Sequence, residues 1–323
     1  MSDFFSPDYY SARARFRSGV LANGGQIESI LLDAKGPAPE ISDLTVDIGY
    51  FGAPEPRRAF IHSSGLRGVD GFAGSAIQLQ WLEEGPAALP PDAAIVMVHA
   101  MNPFGMAWLR CANRNNVDLS HNFLTSDEEY AGASGGYRAL NPFLNPPSPP
   151  AWDFFPLRAL LHAVRHGLPA LRRAIVEGQY EFPQGIRFGG RQHEQEARRF
   201  QLYISGKLAC AERIVAIDVR TGPRPGRIAT NRAKGSLEGL YSRMFSGAQL
   251  SFSVQDLTSC HWMTALAALR NENRQHHYGD ASAQTRAKAN LLEVFCPPSP
   301  KWREQVLALG EEAITEALAQ AFA

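Results

Sequence analysis

A glycine-rich loop between an apolar run and a helix-length segment carries two charged side chains at close spacing. It reads HSSGLRGVDGFAGSAIQ, residues 62–78, and places Arg67 three positions before Asp70. The loop has the shape of a metal-binding loop, but a guanidinium has no free acceptor lone pair and stays protonated in proteins. Arg67 suits a carboxylate or a phosphate instead, because its planar fork can donate two parallel hydrogen bonds to one such group.

Polar residues also stand where other apolar runs end. Asn102, Thr221 and the Asp218–Arg220 pair lie at the carboxyl ends of predicted strands. Open α/β sheets place their ligand crevice at this edge. We therefore expect these side chains to lie near a site.

Imidazole groups offer a different chemistry, general acid–base catalysis. His62 and His99 fall within apolar strands and are interpreted as core residues. Cys260 and His261 are adjacent and look like a thiol–imidazole pair. Neighbours in sequence rarely face one another, however, and Cys–His catalysis requires contact between the two side chains.

Six apolar runs of strand length alternate with segments of helix length, which predicts an α/β fold with a mostly buried sheet. The predicted strands are 27–32, 44–52, 57–64, 93–102, 213–222 and 249–257. The predicted helices are 7–22, 72–84, 157–176, 191–210, 262–275 and 300–321, from their length and apolar spacing.

The stretch LNPFLNPPSPPAWDFFP, residues 140–156, is too rich in proline for a helix or a central strand. Its apolar side chains, among them Phe143 and Trp152, indicate a surface loop that packs back onto the protein. We therefore predict one domain over residues 1–323, with 140–156 as a proline-rich surface loop.

The overall charge of the chain indicates no particular class of partner. The chain has 32 Lys and Arg against 32 Asp and Glu, without the basic excess typical of nucleic-acid binding. It has no run of 18 apolar residues, and its first residues lack the apolar core of a secretory signal. We expect a cytoplasmic protein with neither nucleic acid nor membrane as partner. The four cysteines form no CxxC pair, so no disulfide framework is indicated.

The loop segment SSGLRGVDGFAGSAIQ resembles the SGxHGxEGxxGS segment of zinc carboxypeptidase-like proteins of the metallocarboxypeptidase superfamily, in an uncharacterised bacterial single-domain branch. The resemblance implies a single α/β domain with a mixed, mainly eight-stranded twisted sheet and a zinc site at strand ends. It also implies structural roles for His276 and His277. Four more segments follow the same branch in order: MVHAMNPFGMAWLRCANRNNVDLSHNF (97–123), EGQYEFPQGIRFGGRQHEQEARRF (177–200), AIDVRTG (216–222) and ALRNENRQHHYGD (268–280).

In that family two imidazoles and a carboxylate hold zinc, which turns a bound water into a nucleophile. The matching positions here are Arg67, Asp70 and Arg220. Neither arginine can ligate zinc, so we expect no zinc cofactor. Where the family has an Asn-Arg pair that binds the substrate's carboxylate, this chain has Ser120 and His121.

Two further family positions carry catalytic roles. The general-base glutamate of the family aligns with Asp256, or with Gln255 if the alignment slips by one residue. Arg110 matches, by a looser spacing, the arginine that polarises the scissile carbonyl.

Two functions stay open. In the first, the chain is a pseudoenzyme in which Arg67 and Arg220 replace the charge of zinc. They would then hold Asp70 and Asp256 in a salt-bridge cluster, or bind a small anion, an amino-acid carboxylate or a peptide tail. In the second, the chain is a divergent hydrolase of peptide or amide bonds with its chemistry relocated to His121 and Asp256.

Overall fold

The computed structural model contains a mixed sheet with helices packed against it. It describes residues 3–38, 40, 42–125, 130–150, 154–167, 172, 176–223 and 234–323. The described residues form six strands in the order β1-β2-β4-β3-β5-β6. These are β1 (Gln26–Lys35), β2 (Asp43–Gly52), β3 (Arg58–Ser64), β4 (Ala93–His99), β5 (Arg213–Pro223) and β6 (Gln249–Cys260).

Four neighbouring strands of this sheet run in the same direction. β3 pairs in parallel with β4 and β5, and β5 pairs in parallel with β6. β2 is antiparallel to both β1 and β4. Every residue of β4 is buried, as expected for a central strand covered on both faces. The carboxyl ends of β3 to β6 therefore meet at one edge of the sheet, and the loops that follow them lie side by side.

Ten helices and one 3-10 turn surround the sheet in the described residues. Several begin at a Ser or Asp whose side chain accepts a hydrogen bond from the first turn, as at Asp8, Ser134 and Asp280. No described helix combines the length and the apolar character that a membrane span needs. The helices are α1 (Tyr9–Ala22), α2 (Gly71–Glu84), α3 (Pro103–Ala107), α4 (Gly135–Leu144), α5 (Phe155–His166), α6 (Gln195–Lys207), α7 (Leu237–Met244), α8 (Trp262–Tyr278), α9 (Ala281–Phe295) and α10 (Pro300–Phe322), with the 3-10 turn at Leu119–His121.

The predicted α/β class with a mixed sheet is confirmed, and all six predicted strands are present. The expectation of a mainly eight-stranded sheet is wrong for the described residues, which contain six strands. Helices α3, α4, α7 and α9 were not predicted. Of the predicted helix 157–176, α5 covers the part up to residue 166, and 168–171 and 173–175 lie outside the described residues.

The proline-rich stretch 140–156 differs from its predicted loop. It begins inside α4, which contains Pro142. Tyr137, Leu140 and Phe143 recur at helical spacing on the buried face of α4. Burial of such a stripe offsets the loss of one backbone N–H and the crowding that a proline brings to a helix. Residues 151–153 lie outside the described residues.

Two histidines are buried in the sheet, as their apolar surroundings predicted. His62 Nδ1 lies 3.1 Å from Gln78 Nε2, and His99 Nε2 lies 3.0 Å from Ser75 Oγ. The His99 ring stacks on Phe16 with 4.7 Å between the ring centroids. Burial lowers the pKa of each histidine to about 4, so both are neutral at pH 7.

We expect His62 and His99 to lower the stability of the protein as the pH falls from about 6.5 to 4. In this window the unfolded chain takes up protons on His62 and His99 while the folded chain resists protonation, so their contribution favours unfolding in acid. A pKa of about 4 against the ordinary 6.5 corresponds to about 3 kcal/mol per histidine. The raised pKa of Asp70 acts in the opposite direction, so denaturant unfolding across this window measures the histidine contribution by comparison with a histidine variant.

The matched comparison is His99→Gln, which keeps a polar group near Ser75 but cannot be protonated. Its unfolding free energy should fall less steeply in acid than that of the parent. His261→Asn is the control, because His261 is exposed and caps α8, and Asn also caps helices. Equal acid slopes in parent and His99→Gln would contradict the role of His99.

Candidate functional site

The loop between β3 and α2 has a backbone that two glycines make possible. Gly65 and Gly68 have φ values of +70° and +71°, which residues with a Cβ rarely adopt. A Cβ on Gly68 would lie 2.4 Å from the carbonyl oxygen of Arg110. This close approach to the loop after β4 fixes the positions from which Arg67 and Asp70 project.

Arg67 joins this loop to the end of β5. Its Nε donates to Asp70 Oδ2 at 3.1 Å, and its Nη2 donates to the backbone carbonyl of Thr221 at 2.9 Å. The side chain of Arg67 is 12% exposed, and that of Asp70 is fully buried. Burial disfavours the charged guanidinium, but Asp70 and other nearby carboxylates outweigh it and raise the pKa of Arg67. Arg67 therefore keeps its charge.

The carboxyl of Asp70 is only partly satisfied. Burial raises its pKa to about 6, although the charge of Arg67 acts in the opposite direction. Its Oδ1 is buried and has no hydrogen-bond partner in the described part of the chain. A buried acceptor without a hydrogen bond costs free energy, so Asp70 Oδ1 is available to accept a hydrogen bond from a further donor.

Arg220 pairs within its own strand. Its Nε donates to Asp218 Oδ2 at 2.6 Å, and Asp218 Oδ1 accepts from Ser63 Oγ at 2.9 Å. Residues two apart in a strand share a face, which brings the two side chains together. Asp218 is fully buried, whereas Arg220 is 12% exposed. The expected partner of this arginine was Asp70 or Asp256, and the structure gives it Asp218.

Asp256 stands beside Arg220 in the pairing of β5 with β6. The residue is exposed, and its carboxylate makes no hydrogen bond or ion pair with any described residue. Partial desolvation raises the pKa of its carboxyl, against the effect of Arg67 and Arg220. The neighbouring Gln255 donates instead to the backbone of α10, at Leu309. Asp256 rather than Gln255 therefore faces the two arginines.

Ser120 lies in the 3-10 turn, where its hydroxyl is already engaged. Ser120 Oγ donates to Asp118 Oδ1 at 2.6 Å, and Asp118 Oδ2 accepts from Arg187 Nη1 at 2.8 Å. Burial would raise the pKa of Asp118, but Arg187, His121 and Ser120 hold it well below its usual range. Asp118 is therefore a permanent anion that orients Ser120 and Arg187.

His121 is buried in the same turn. Burial lowers its pKa to about 4 despite the nearby Asp118, so its ring is neutral at pH 7. The ring packs on Gly178, where a Cβ would lie 2.6 Å from His121 Cγ. Its Nδ1 has no hydrogen-bond partner within the described chain. No hydrogen bond joins His121 to Asp256 among the described residues.

Arg110 has its guanidinium engaged away from the arginine–aspartate cluster. It is fully buried, donates from Nε to Glu272 Oε1 at 2.7 Å, and donates from Nη2 to Asn116 Oδ1 at 2.9 Å. These contacts tie the loop after α3 to α8. The predicted role in polarising a substrate carbonyl stays a prediction, and the contacts that the structure shows are structural.

The side chains at the positions to which the resemblance assigns zinc ligands do not fit zinc. Arg67 and Arg220 offer no lone pair, and Asp70 already accepts from Arg67. The described residues include no group of three or more His, Cys, Asp or Glu side chains placed to hold a metal ion. Asp70 and Asp218 could ligate, but each is already paired with an arginine.

Arginine–aspartate pairs lie at the carboxyl edge of the mainly parallel sheet of this α/β protein, and both arginines are partly accessible there. The chain belongs to the family described as "Protein of unknown function (DUF2817)", whose model matches residues 5–230. No curated protein matches the sequence at a significant level.

Two solved structures illustrate what the chain is similar to. One is carboxypeptidase A from Helicoverpa armigera, 10% identical, with 89% of this chain and 75% of that chain covered and a TM-score of 0.45. The other is bovine thrombin-activatable fibrinolysis inhibitor in complex with tick carboxypeptidase inhibitor, 9% identical, with 95% and 99% covered and a TM-score of 0.45.

Two residues near the site, Arg187 and Glu272, could not be predicted from the sequence. Arg187 pairs with Asp118, and Glu272 pairs with Arg110, but the separation of each pair along the chain matches no recognisable motif. Arg187 has φ of +60°, which is uncommon outside glycine and shows that the surrounding structure fixes its backbone. Only the tertiary fold brings these pairs together.

Arg110→Met should lower the free energy of unfolding by about 3–5 kcal/mol, because it leaves Glu272 buried without its partner. Removing both charges, in Arg110→Met with Glu272→Met, should recover much of that loss, since no buried charge is then uncompensated. Denaturant unfolding of the two single variants and the double variant measures the coupling. Additive losses would show that the pair does not act as a unit.

Proposed function

We propose that the chain is a non-catalytic carboxypeptidase-like protein in which a guanidinium takes the place of the metal, and that its crevice binds a small carboxylate ligand. The observation that carries the proposal is the double contact of Arg67 with Asp70 and with the carbonyl of Thr221. In the family that the sequence resembles, zinc joins positions 67, 70 and 220. Here one guanidinium links the same loop to the same strand end.

The cluster has a buried layer and an accessible layer. Asp70 and Asp218 are fully buried and each is paired with one arginine, which suits a structural salt-bridge cluster. Arg67 and Arg220 are each 12% exposed, and Asp256 is exposed at the same strand ends. The accessible layer therefore offers guanidinium donors beside a carboxylate.

The charges favour one class of ligand over another. Two guanidiniums stand among three carboxylates, those of Asp70, Asp218 and Asp256, so a bare anion such as phosphate would meet surplus negative charge. An amino acid or a peptide carrying an amino group brings its own positive charge. Its carboxylate suits Arg67 and Arg220, and its ammonium suits Asp256.

The hydrolase alternative has less support from the geometry. His121 would serve as a neutral base, but its ring is packed against Gly178 and makes no described contact with Asp256. No described residue pairs with Asp256 in a way that would orient a water molecule for attack. We therefore keep binding without cleavage as the proposed function.

The purified protein should carry no stoichiometric zinc, because two of the three family ligands are guanidiniums and a zinc site contributes on the order of 10 kcal/mol through ligands that are missing here. Elemental analysis after mild chelation measures the zinc content per chain. The matched variant restores the family pattern through Arg67→His, Asp70→Glu and Arg220→His. It should retain more zinc than the parent.

The same pair of proteins tests catalysis. The parent should release no C-terminal residue from a blocked dipeptide. About one zinc per parent chain, or chelator-sensitive hydrolysis by the parent at roughly 1 per second or more, would refute the loss of metal chemistry.

Arg67→Ala should lower the free energy of unfolding by about 3 kcal/mol or more, because it leaves Asp70 buried and unpaired. Arg220→Ala should cost less, since Asp218 keeps its hydrogen bond from Ser63. Thermal and denaturant unfolding provide the measurement. If both variants match the parent, the salt-bridge cluster has no structural role.

Asp256→Asn separates ligand binding from stability. Because Asp256 is exposed and unpaired, the change should alter the free energy of unfolding by no more than about 0.5 kcal/mol. The parent should be stabilised more by amino acids than by acetate or phosphate at equal concentration, and Asp256→Asn should lose that preference. If none of the three ligand types changes the unfolding temperature of the parent, the proposed binding function is contradicted.

A further inference from the structure

A small cavity lies behind the 3-10 turn, between the loop after α3, the segment 185–187 and α8. Its volume is about 20 Å³, which is room for one water-sized particle. Four charged residues line it, Arg110, Asp118, Arg187 and Glu272, together with two asparagines, the Cys111 thiol and apolar side chains. None of Arg67, Asp70, Asp218, Arg220 and Asp256 lines it, so it is separate from the crevice proposed to bind a carboxylate ligand.

Two arginines on this cavity have an unmet donor. Arg110 is fully buried, and its Nη1 has no partner within the described residues, although Nε and Nη2 are both bonded. Arg187 has its Nη1 on Asp118, and its buried Nε is likewise without a partner. Leaving a buried charged donor unmet costs more than leaving a neutral one unmet. Two such donors on one cavity call for an acceptor inside it.

The balance of charge decides what kind of acceptor fits best. Glu272 compensates Arg110, and Asp118 compensates Arg187. Lys288 adds a further positive charge on this side of the protein, since its Nζ lies 4.9 Å from the centroid of the Trp108 ring, two residues before Arg110. A charged N–H group also bonds more strongly to an anion than to a neutral water molecule, which favours an anion in the cavity.

The cavity size favours an ion with a single heavy atom. A carboxylate, phosphate or sulfate has several heavy atoms, whereas about 20 Å³ gives room for one water-sized particle. A halide has one. A single spherical acceptor can also receive N–H groups from two guanidiniums in different directions.

We propose that this cavity binds a chloride ion, held by Arg110 Nη1 and Arg187 Nε. The ion would join two ion pairs that come from distant segments, Arg110–Glu272 on α8 and Arg187–Asp118 at the 3-10 turn. Halide binding would thereby stabilise the turn that carries Ser120 and His121. The proposal does not depend on the proposed carboxylate-binding function.

The direct test is anomalous diffraction from crystals of the full-length protein in which bromide replaces chloride. A bromide peak is expected in the cavity, within hydrogen-bond distance of Arg110 Nη1 and Arg187 Nε. A water molecule there without anomalous signal, or bromide peaks on the protein surface only, would overturn the proposal. This measurement needs no variant and so does not depend on a variant's folding.

The second test is thermal unfolding in chloride and in sulfate at matched ionic strength. Chloride should raise the unfolding temperature saturably, by about 2–4 °C for a chain of this size, and sulfate should give no saturable rise. Arg110→Lys keeps a positive charge near Glu272 but lacks the guanidinium fork, so its chloride response should be lost. Arg213→Lys, at the opposite end of the sheet, is the control and should respond like the parent. Identical curves in chloride and sulfate for the parent would also overturn the proposal.

Discussion

The contact of Arg67 with Asp70 and Thr221 is the interaction on which the candidate site depends. Asp70 is fully buried at the start of α2, and a lone carboxylate there would be costly to bring out of water. Arg67, three residues earlier, supplies the opposite charge. Its Nη2 also donates a hydrogen bond to the carbonyl of Thr221 on β5. One side chain therefore sets the distance between the loop after β3 and the end of a different strand.

Two further buried ion pairs of the same kind join separate segments of the chain. Arg187 holds Asp118 at the 3-10 turn, and Arg110 holds Glu272 on α8. The pairs join segments that no strand pairing connects. Buried pairs are weak evidence for net stability, since hydrophobic residues could often replace them, but removing one partner is costly. They favour a single arrangement of these loops over alternatives that would separate the charges.

The elements that could be predicted are those whose signal is local. Apolar runs located all six strands, because a central parallel strand such as β4 is buried throughout and its sequence shows it. α4 was missed because Pro142 argues against a helix, and the burial of Phe143 and its neighbours is a tertiary effect. The eight-stranded expectation came from the resemblance alone, and the described residues form six strands.

The residues of the candidate site also divide into those that could be predicted from the sequence and those that could not. The resemblance brought Arg67, Asp70, Arg220 and Asp256 to one place, and the structure does place them around one strand edge. Which carboxylate each arginine holds could not be predicted, because it depends on side-chain geometry that family positions do not specify. Arg187 and Glu272 had no signal at all, since each acts only through a partner that is remote in sequence.

Arg67 and Arg220, which stand where the resembled family has imidazoles, are not equivalent, because they link different parts of the structure. Arg220 pairs with Asp218 two residues away on its own strand, so its own contact reaches no second element. Of these two arginines, it is Arg67 that links the loop after β3 to β5. A guanidinium makes such a link without any proton loss near neutral pH, and it cannot activate water as a metal does. Arg67 therefore accounts for the link between the loop and the strand end, and the proposed ligand would rely more on the remaining donors of Arg220.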